Sequence, residues 1–160
     1  AVMKAAGLTP GGFYAHFGSK EALLAETLSL ALGRMRGWLL ARLEDQRGLP
    51  WLRQIVRRYL SRVHRDGVAE GCPMPALTAD VSQAGAGAWQ TFETGFRELV
   101  AEFEEKMPTS LGSPRDRALA TIALLVGGVM LARTVKERKL SGRILRACRL
   151  LAVPEDIAEQ

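Results

Sequence analysis

The sequence predicts an all-α protein, and three observations predict it. Apolar residues recur at three- and four-residue spacing through several long segments, the period of one helix face. Helix starts and stops punctuate those segments: Ser or Thr before, Pro at the first turn, Gly after. No alternating apolar/polar run reads as a strand, and no repeat or low-complexity segment interrupts the pattern.

The stretch from Gly7 to Leu24, GLTPGGFYAHFGSKEALL, carries the densest local signal. Gly7 fits just past a helix C-terminus, where φ > 0 costs glycine nothing. Thr9 can cap a new helix and Pro10 suits its first position. Phe13 and Phe17 stand i, i+4 and share an inward face, so Tyr14 and His16 point elsewhere. Gly18 breaks this helix. Ser19 caps the next, with Glu21 in its first turn where the macrodipole favours a carboxylate. Two short helices about a glycine turn make a helix-turn-helix.

These residues resemble the recognition half of the TetR/AcrR family of bacterial transcriptional regulators. The match is contiguous from Val2 to about Leu24: the small pair before Gly7, Phe13-Tyr14, the aromatic-Gly-Ser-Lys-Glu run and the following Ala-Leu-Leu. The resemblance implies that Thr9, Gly11 and Gly12 open the recognition helix facing the major groove. It implies that Tyr14 and His16 meet phosphates or base edges and that Lys20 contacts phosphate. Gly12 replaces the commoner Thr, Ser or Ala, and Pro10 stands where many members have Lys; each removes a side-chain contact. The family has a further helix and the rest of the first motif helix before Val2, and Ala1 does not read as an initiator. An N-terminally truncated form is therefore expected.

Downstream, Ser19 to about Asp45 is predicted as one long helix with Leu24, Leu28, Ala31, Met35, Trp38, Arg42 and Leu43 in step. After the Arg47-Gly48-Leu49-Pro50 break, Trp51, Ile55, Tyr59 and Val63 form the stripe of a helix ending near Asp66, with Arg53, Arg57 and Arg58 facing out. GVAEGCPMPAL is the least helical stretch, followed by a short helix over about 76–83 that resembles, less specifically, one TetR subgroup. Residues 88–106 form an amphipathic helix with Trp89, Phe92, Phe96, Leu99, Val100 and Phe103 on one face. Arg115 to about Glu137 is apolar on all sides in its middle and so needs cover on all sides. Ser141 is predicted to cap a last helix. Residues 1–18 thus read as the C-terminal part of a helix-turn-helix domain, 19–45 as a connecting helix, and 46–160 as a ligand-binding and dimerisation domain.

The surplus apolar faces of the last two helices predict a two-fold four-helix-bundle dimer, which the resemblance also implies. Leu119, Ile122, Val126, Met130, Ile144, Cys148 and Leu151 are its candidate contacts. Gly127-Gly128 allows helices to approach closely.

A 48% hydrophobic content supports a real core, and no apolar run reaches the ~20 residues of a membrane span. Cys72 and Cys148 are few and distant, which suits a reducing cytoplasm better than a disulfide scaffold. The net charge of +5 is uneven: residues 33–65 hold nine arginines against Glu44 and Asp45, while 66–110 hold two basic residues against eight acidic ones. A basic balance permits nucleic-acid binding without proving it. The arginine-rich segment reads first as solvated helix faces.

Catalysis, metal binding and cofactor binding find no support. There are two histidines, His16 and His64, neither with a carboxylate at ligand spacing, and no GxSxG, P-loop or CxxC. His64 reads as a helix-end cap or a solvent-facing residue. The aromatic stripe Trp89, Phe92 and Phe96 reads first as core; the resemblance implies a small-molecule effector in the helical body, where Trp38, Tyr59, Met74, Trp89, Phe92 and Phe96 would line a site for an apolar or aromatic one. The expected function is a dimeric, ligand-responsive regulator, a repressor, on near-palindromic operator DNA and off the membrane. One alternative is a redox or electrophile sensor using Cys72. Another is a helical small-molecule carrier without DNA readout.

Overall fold

The computed structural model describes residues 5, 7, 14, 16–68 and 71–153. Its elements are helical, with no strand among the described residues. They are α1 (Lys20–Leu40), α2 (Gly48–Tyr59), α3 (Arg62–Asp66), α4 (Met74–Gln83), α5 (Ala86–Lys106), a 3-10 turn (Thr109–Leu111), α6 (Pro114–Thr134) and α7 (Arg138–Ala152). The all-α class read from the sequence is the class found.

Helix α1 begins as predicted. Ser19 is extended (φ −158°, ψ 169°) and its hydroxyl accepts the Ala22 N–H at 3.0 Å. The helix stops at Leu40, earlier than the expected Asp45, because Arg42 turns into the left-handed region (φ 63°). The carbonyls left open there find one partner. Arg58 Nη1 donates to Trp38 O (3.0 Å), Leu39 O (2.6 Å) and Ala41 O (3.0 Å), satisfying orphan acceptors of the helix end. Arg58 therefore does not belong on the solvent face with Arg53 and Arg57.

The second predicted helix divides in two. Gly48 takes φ 67° and starts α2. Trp51, Ile55 and Tyr59 are buried as the four-residue spacing requires. The helix ends at Tyr59, and Ser61 caps the short α3 by accepting the His64 N–H at 3.0 Å. The break resets the helical phase. Val63, expected inward, is 84% exposed, and His64, expected at a helix end or in solvent, is 3% exposed.

Helix α5 lies between α1 and α6. Leu99, Val100 and Phe103 are buried, Phe92 and Phe96 are half-buried, and Trp89 at the start of the stripe is exposed. The main core joins α1, α2, α5, α6 and α7 around Trp51, whose ring meets Phe103 edge-on at 5.0 Å. A smaller cluster of Leu28, Val81 and Ala88 closes the other end, between α1, α4 and the start of α5.

Helix α6 is long and apolar enough, by length and composition, to cross a membrane. Here it is the central helix of the body, with Ala118, Ile122, Leu125, Val129 and Ala132 buried. Helix α7 starts at Arg138 rather than at Ser141. Ser141 sits inside it, 4% exposed, donating to Ala132 O (2.6 Å) and accepting from Arg65 Nη1 (3.0 Å). It pins α7 to α6 and to α3 instead of capping anything.

Gly128 is where α6, α7 and α2 converge. A Cβ there would stand 2.9 Å from Cys148 Sγ and 3.1 Å from Leu60 Cδ2, while one on Gly127 meets nothing within 4 Å. Gly128→Ala is expected to cost ~1–3 kcal/mol through overpacking. Gly127→Ala is expected to gain up to ~1 kcal/mol from helix propensity. Urea unfolding of both variants checks this; equal effects would contradict the packing.

Candidate nucleic-acid-facing head and the clefts of the body

At the head, Gly7 adopts φ 70°, the turn conformation its position called for. Tyr14 is 67% exposed, and His16 and Lys20 are also exposed. Phe17 is half-buried, its ring 6.5 Å from that of His16. Thr9, Gly11 and Gly12 lie outside the described residues. A phenol, an imidazole and an ammonium thus face outward around the start of α1. Groups of this kind supply phosphate and sugar contacts, which fix register on a duplex. The N-terminus of α1 adds partial positive charge beside Lys20.

The first turn of α1 also touches the body. The Glu21 carboxylate rests against Gly85, the residue preceding α5, so closely that a Cβ on Gly85 would collide with it. From there α1 and α5 run side by side and enclose a groove of about 660 Å³. Its walls are small or hydroxylated: Ala25, Ser29 and Gly33 on α1, and Gly87, Thr91, Thr94 and Gly95 on α5. Leu32, Met35 and Leu99 make its apolar part. Arg36 closes one end by pairing with Glu98, and with Glu102 at 3.3 Å. Burial raises the Glu102 carboxyl above its ordinary value, with Arg36 opposing. The signal for this groove was present in the sequence: small residues recur every four positions at 25, 29 and 33 and again at 87, 91 and 95.

The six residues expected to hold an effector are not brought to that groove. Tyr59 and Met74 are buried in the core. Phe92 and Phe96 stack at 6.1 Å with nearly parallel rings; Phe92 packs on the Leu28 cluster and Phe96 lines a separate groove between α5 and α6. Trp89 is 53% exposed, and Trp38 stands at the surface with its ring 4.9 Å from His64.

His64 centres a buried polar cluster that sequence reasoning missed. Its Nδ1 lies 2.7 Å from Tyr59 O, and its Nε2 accepts the Cys72 N–H at 3.0 Å. Since Nε2 accepts, the proton sits on Nδ1 and the ring is neutral. Burial is the main reason its pKa falls below the usual value; Arg133 adds to this, and the Tyr59 carbonyl opposes it. Arg133 in turn donates to the His64 (2.7 Å) and Arg65 (3.0 Å) carbonyls. Cys72 is 1% exposed, and burial raises its thiol pKa, so near neutral pH it is a protonated thiol away from solvent. With both ring nitrogens engaged by backbone, His64 ties Cys72 to the Tyr59 end of α2. Among the described residues no group of three His, Cys, Asp or Glu could hold a metal ion.

The candidate dimer residues divide by burial. Ile122 is 2% exposed inside the core, and Leu119 borders the α5–α6 groove. Val126, Ile144 and Cys148 are half-buried against the core. Met130 and Leu151 are exposed, as are Leu131 and Leu140. The outer surface of α6 and α7 therefore carries several large apolar side chains in the single chain.

Comparison with known proteins agrees with this architecture. No curated protein matches the chain significantly. The crystal structure of E. coli NemR in its reduced form is similar, with a TM-score of 0.69 at 22% sequence identity, covering 94% of this chain and 81% of that one; at that identity the likeness shows the fold. Residues 1–27 match the family model for bacterial regulatory proteins of the tetR family. The matched segment is the head, with its Gly7 turn, exposed Tyr14, His16 and Lys20, and Ser19-capped α1, so the head of this chain is similar to the N-terminal segment of tetR-family bacterial regulatory proteins.

Proposed function

We propose that the protein is a dimeric transcriptional repressor that leaves its operator when a small effector enters the helical body. The observation that carries this is the joint exposure of Tyr14, His16 and Lys20 at the head of α1. Thr9, Gly11 and Gly12 are assigned to the groove-facing start of the recognition helix. Two heads in a two-fold dimer would stand about one helical turn of DNA apart, or a multiple of it, on a near-palindromic site. The exposed apolar side chains of α6 and α7, with Val126, Ile144 and Cys148 beside them, supply the dimer contact.

The effector reading rests on geometry between head and body. The Glu21 contact with Gly85 joins the first turn of α1 to the start of α5, and the two helices bound a groove that a ligand can wedge open. A ligand that fits only the opened groove shifts the head, because it binds the two states unequally. The groove offers both hydroxyls and an apolar wall, so the ligand is an apolar or aromatic molecule with a polar end. The stacked Phe92 and Phe96, on the same helix, are placed to respond to it.

The test is titration of the full-length protein against the DNA upstream of its own gene at two salt concentrations. Expected is a discrete footprint with a steep salt slope. Tyr14→Ala or Lys20→Ala should weaken it, with Lys20→Ala lowering the slope by about one. Thr91→Trp, which fills the groove, should keep operator binding and lose the effector response. If Lys20→Ala changed nothing and no site were protected, the body would be the working part, as a small-molecule carrier.

A further inference from the structure

The arginine-rich segment and the last helix meet in one place. Ser61 and helix α3 face α7 across a groove of about 1040 Å³. Cations stand on both walls: Arg62 and Arg65 on α3, Arg138, Arg143, Arg146 and Arg149 on α7. A continuation of about 240 Å³ shares Arg146 and Arg149 and adds Arg53 and Arg57. Among the described residues, the only acid lining the larger groove is Asp66, already held by Arg65 at 2.7 and 2.9 Å. Arg57, Arg62, Arg138, Arg143 and Arg146 have no ion-pair partner among the described residues. The floor is apolar, with Leu145 beneath and Val63 84% exposed at the rim.

So many like charges in one cleft repel each other, and a cleft lined by one sign concentrates counter-ions. Solvated helix faces would spread these arginines around α2 and α7; the fold instead brings them together. The convergence is visible at Asp66, whose carboxyl is held below its ordinary value by Arg65 first, with Arg138 and Arg62 adding from the two walls.

Position separates this groove from both other surfaces. Arg58 grips the C-terminal end of α1, and the groove opens three residues on at Ser61. Lys20 is at the other end of the 21-residue α1, about 30 Å away for a helix of that length. On α7, at about 100° per residue, Arg138, Gly142, Arg146 and Arg149 share one sector. Leu140, Ile144, Ala147 and Leu151 fall on the opposite side. The groove stays open when the apolar side of α7 is covered.

We propose that the α3–α7 groove binds a small organic polyphosphate, an anion with two or more phosphate groups attached to an apolar or aromatic body. Guanidinium pairs on facing walls suit bidentate phosphate contacts. The apolar floor suits the body of the ligand, and the volume is that of a small-ligand site. A duplex asks instead for cations on a surface it can lie along, not for a cleft between two helices.

Calorimetric titration of the full-length protein with inorganic triphosphate, adenosine triphosphate and orthophosphate tests this. Expected is one saturable site per chain for the two polyphosphates, tighter for the nucleotide, with orthophosphate at least about tenfold weaker. The double variant Arg62→Gln/Arg146→Gln should lose about tenfold or more, and Arg34→Gln, exposed on α1 outside the groove, should bind as the parent does. Thermal unfolding gives a second readout. The double variant without ligand should melt no lower than the parent, since repulsion is relieved, and polyphosphate should no longer raise its midpoint. Absence of saturable binding, or binding that survives the double substitution, overturns the proposal. So does random-sequence duplex DNA binding lost in the double variant while triphosphate does not bind, which would make the groove a nucleic-acid surface.

Discussion

Trp51→Ala is expected to lower the free energy of unfolding by ~3–5 kcal/mol, the range for deleting a buried large aromatic. Trp51 is 0% exposed and meets Phe103 edge-on at 5.0 Å where α2 crosses α5. Its removal leaves a cavity between helices that cannot collapse, because Leu52, Ile55 and Phe103 are fully buried around it. Trp51→Phe should cost far less, within ~1.5 kcal/mol. The indole Nε1 is buried without a hydrogen-bond partner among the described residues, so the phenyl ring loses some volume but also removes a donor whose burial costs ~1–3 kcal/mol. Urea unfolding of the two variants gives the comparison. If Trp51→Phe were as damaging as Trp51→Ala, the ring's value would lie in its N–H, against the geometry.

The second large effect centres on His64 and on acid. His64→Ala removes the acceptor of the Cys72 N–H and the partner of Tyr59 O. Two buried backbone groups then go unsatisfied, at ~1–3 kcal/mol each. The same geometry sets a pH dependence. Protonating Nε2 would set an N–H against the Cys72 N–H, and burial already holds the pKa below the usual 6.5. The unfolded chain therefore binds the proton first as pH falls. This group's contribution is full above about 6.5 and is lost progressively below it, through the folded-state pKa. Stability measured between pH 7.5 and 5 should fall in the parent and fall less steeply in His64→Ala. Equal slopes would show that His64 is not the group responsible.

Particular residues show where the sequence was legible. Ser19 capped α1 as read because N-capping is a local event between a hydroxyl and an N–H three residues on. Trp51, Ile55 and Tyr59 went inward because four-residue spacing is geometric once a helix forms. Val63 did not, since the chain stops α2 at Tyr59 and restarts at Ser61, and a stripe has no meaning across a phase break. Trp89 continues its stripe in sequence but lies in the first turn of α5, where its side chain stays 53% exposed. The aromatic residues chosen for an effector site were chosen for chemistry. Burial assigned Tyr59 and Met74 to the core instead, while the open space formed between α1 and α5, where side chains are small.

What the sequence by itself determined was the helical class, the boundaries set by caps and glycines, and the likeness of the head to tetR-family regulators, all of which depend on residues near one another in the chain. What only the tertiary structure decided was which distant faces meet. It turned Arg58 to the end of α1 and closed Ser141 onto Ala132. It buried His64 between Tyr59 and Cys72, and it drew the arginines of α3 and α7 into one groove. Those outcomes depend on the angles at which helices pack and on where unsatisfied carbonyls and charges find partners, and these are properties of the folded arrangement of all the helices.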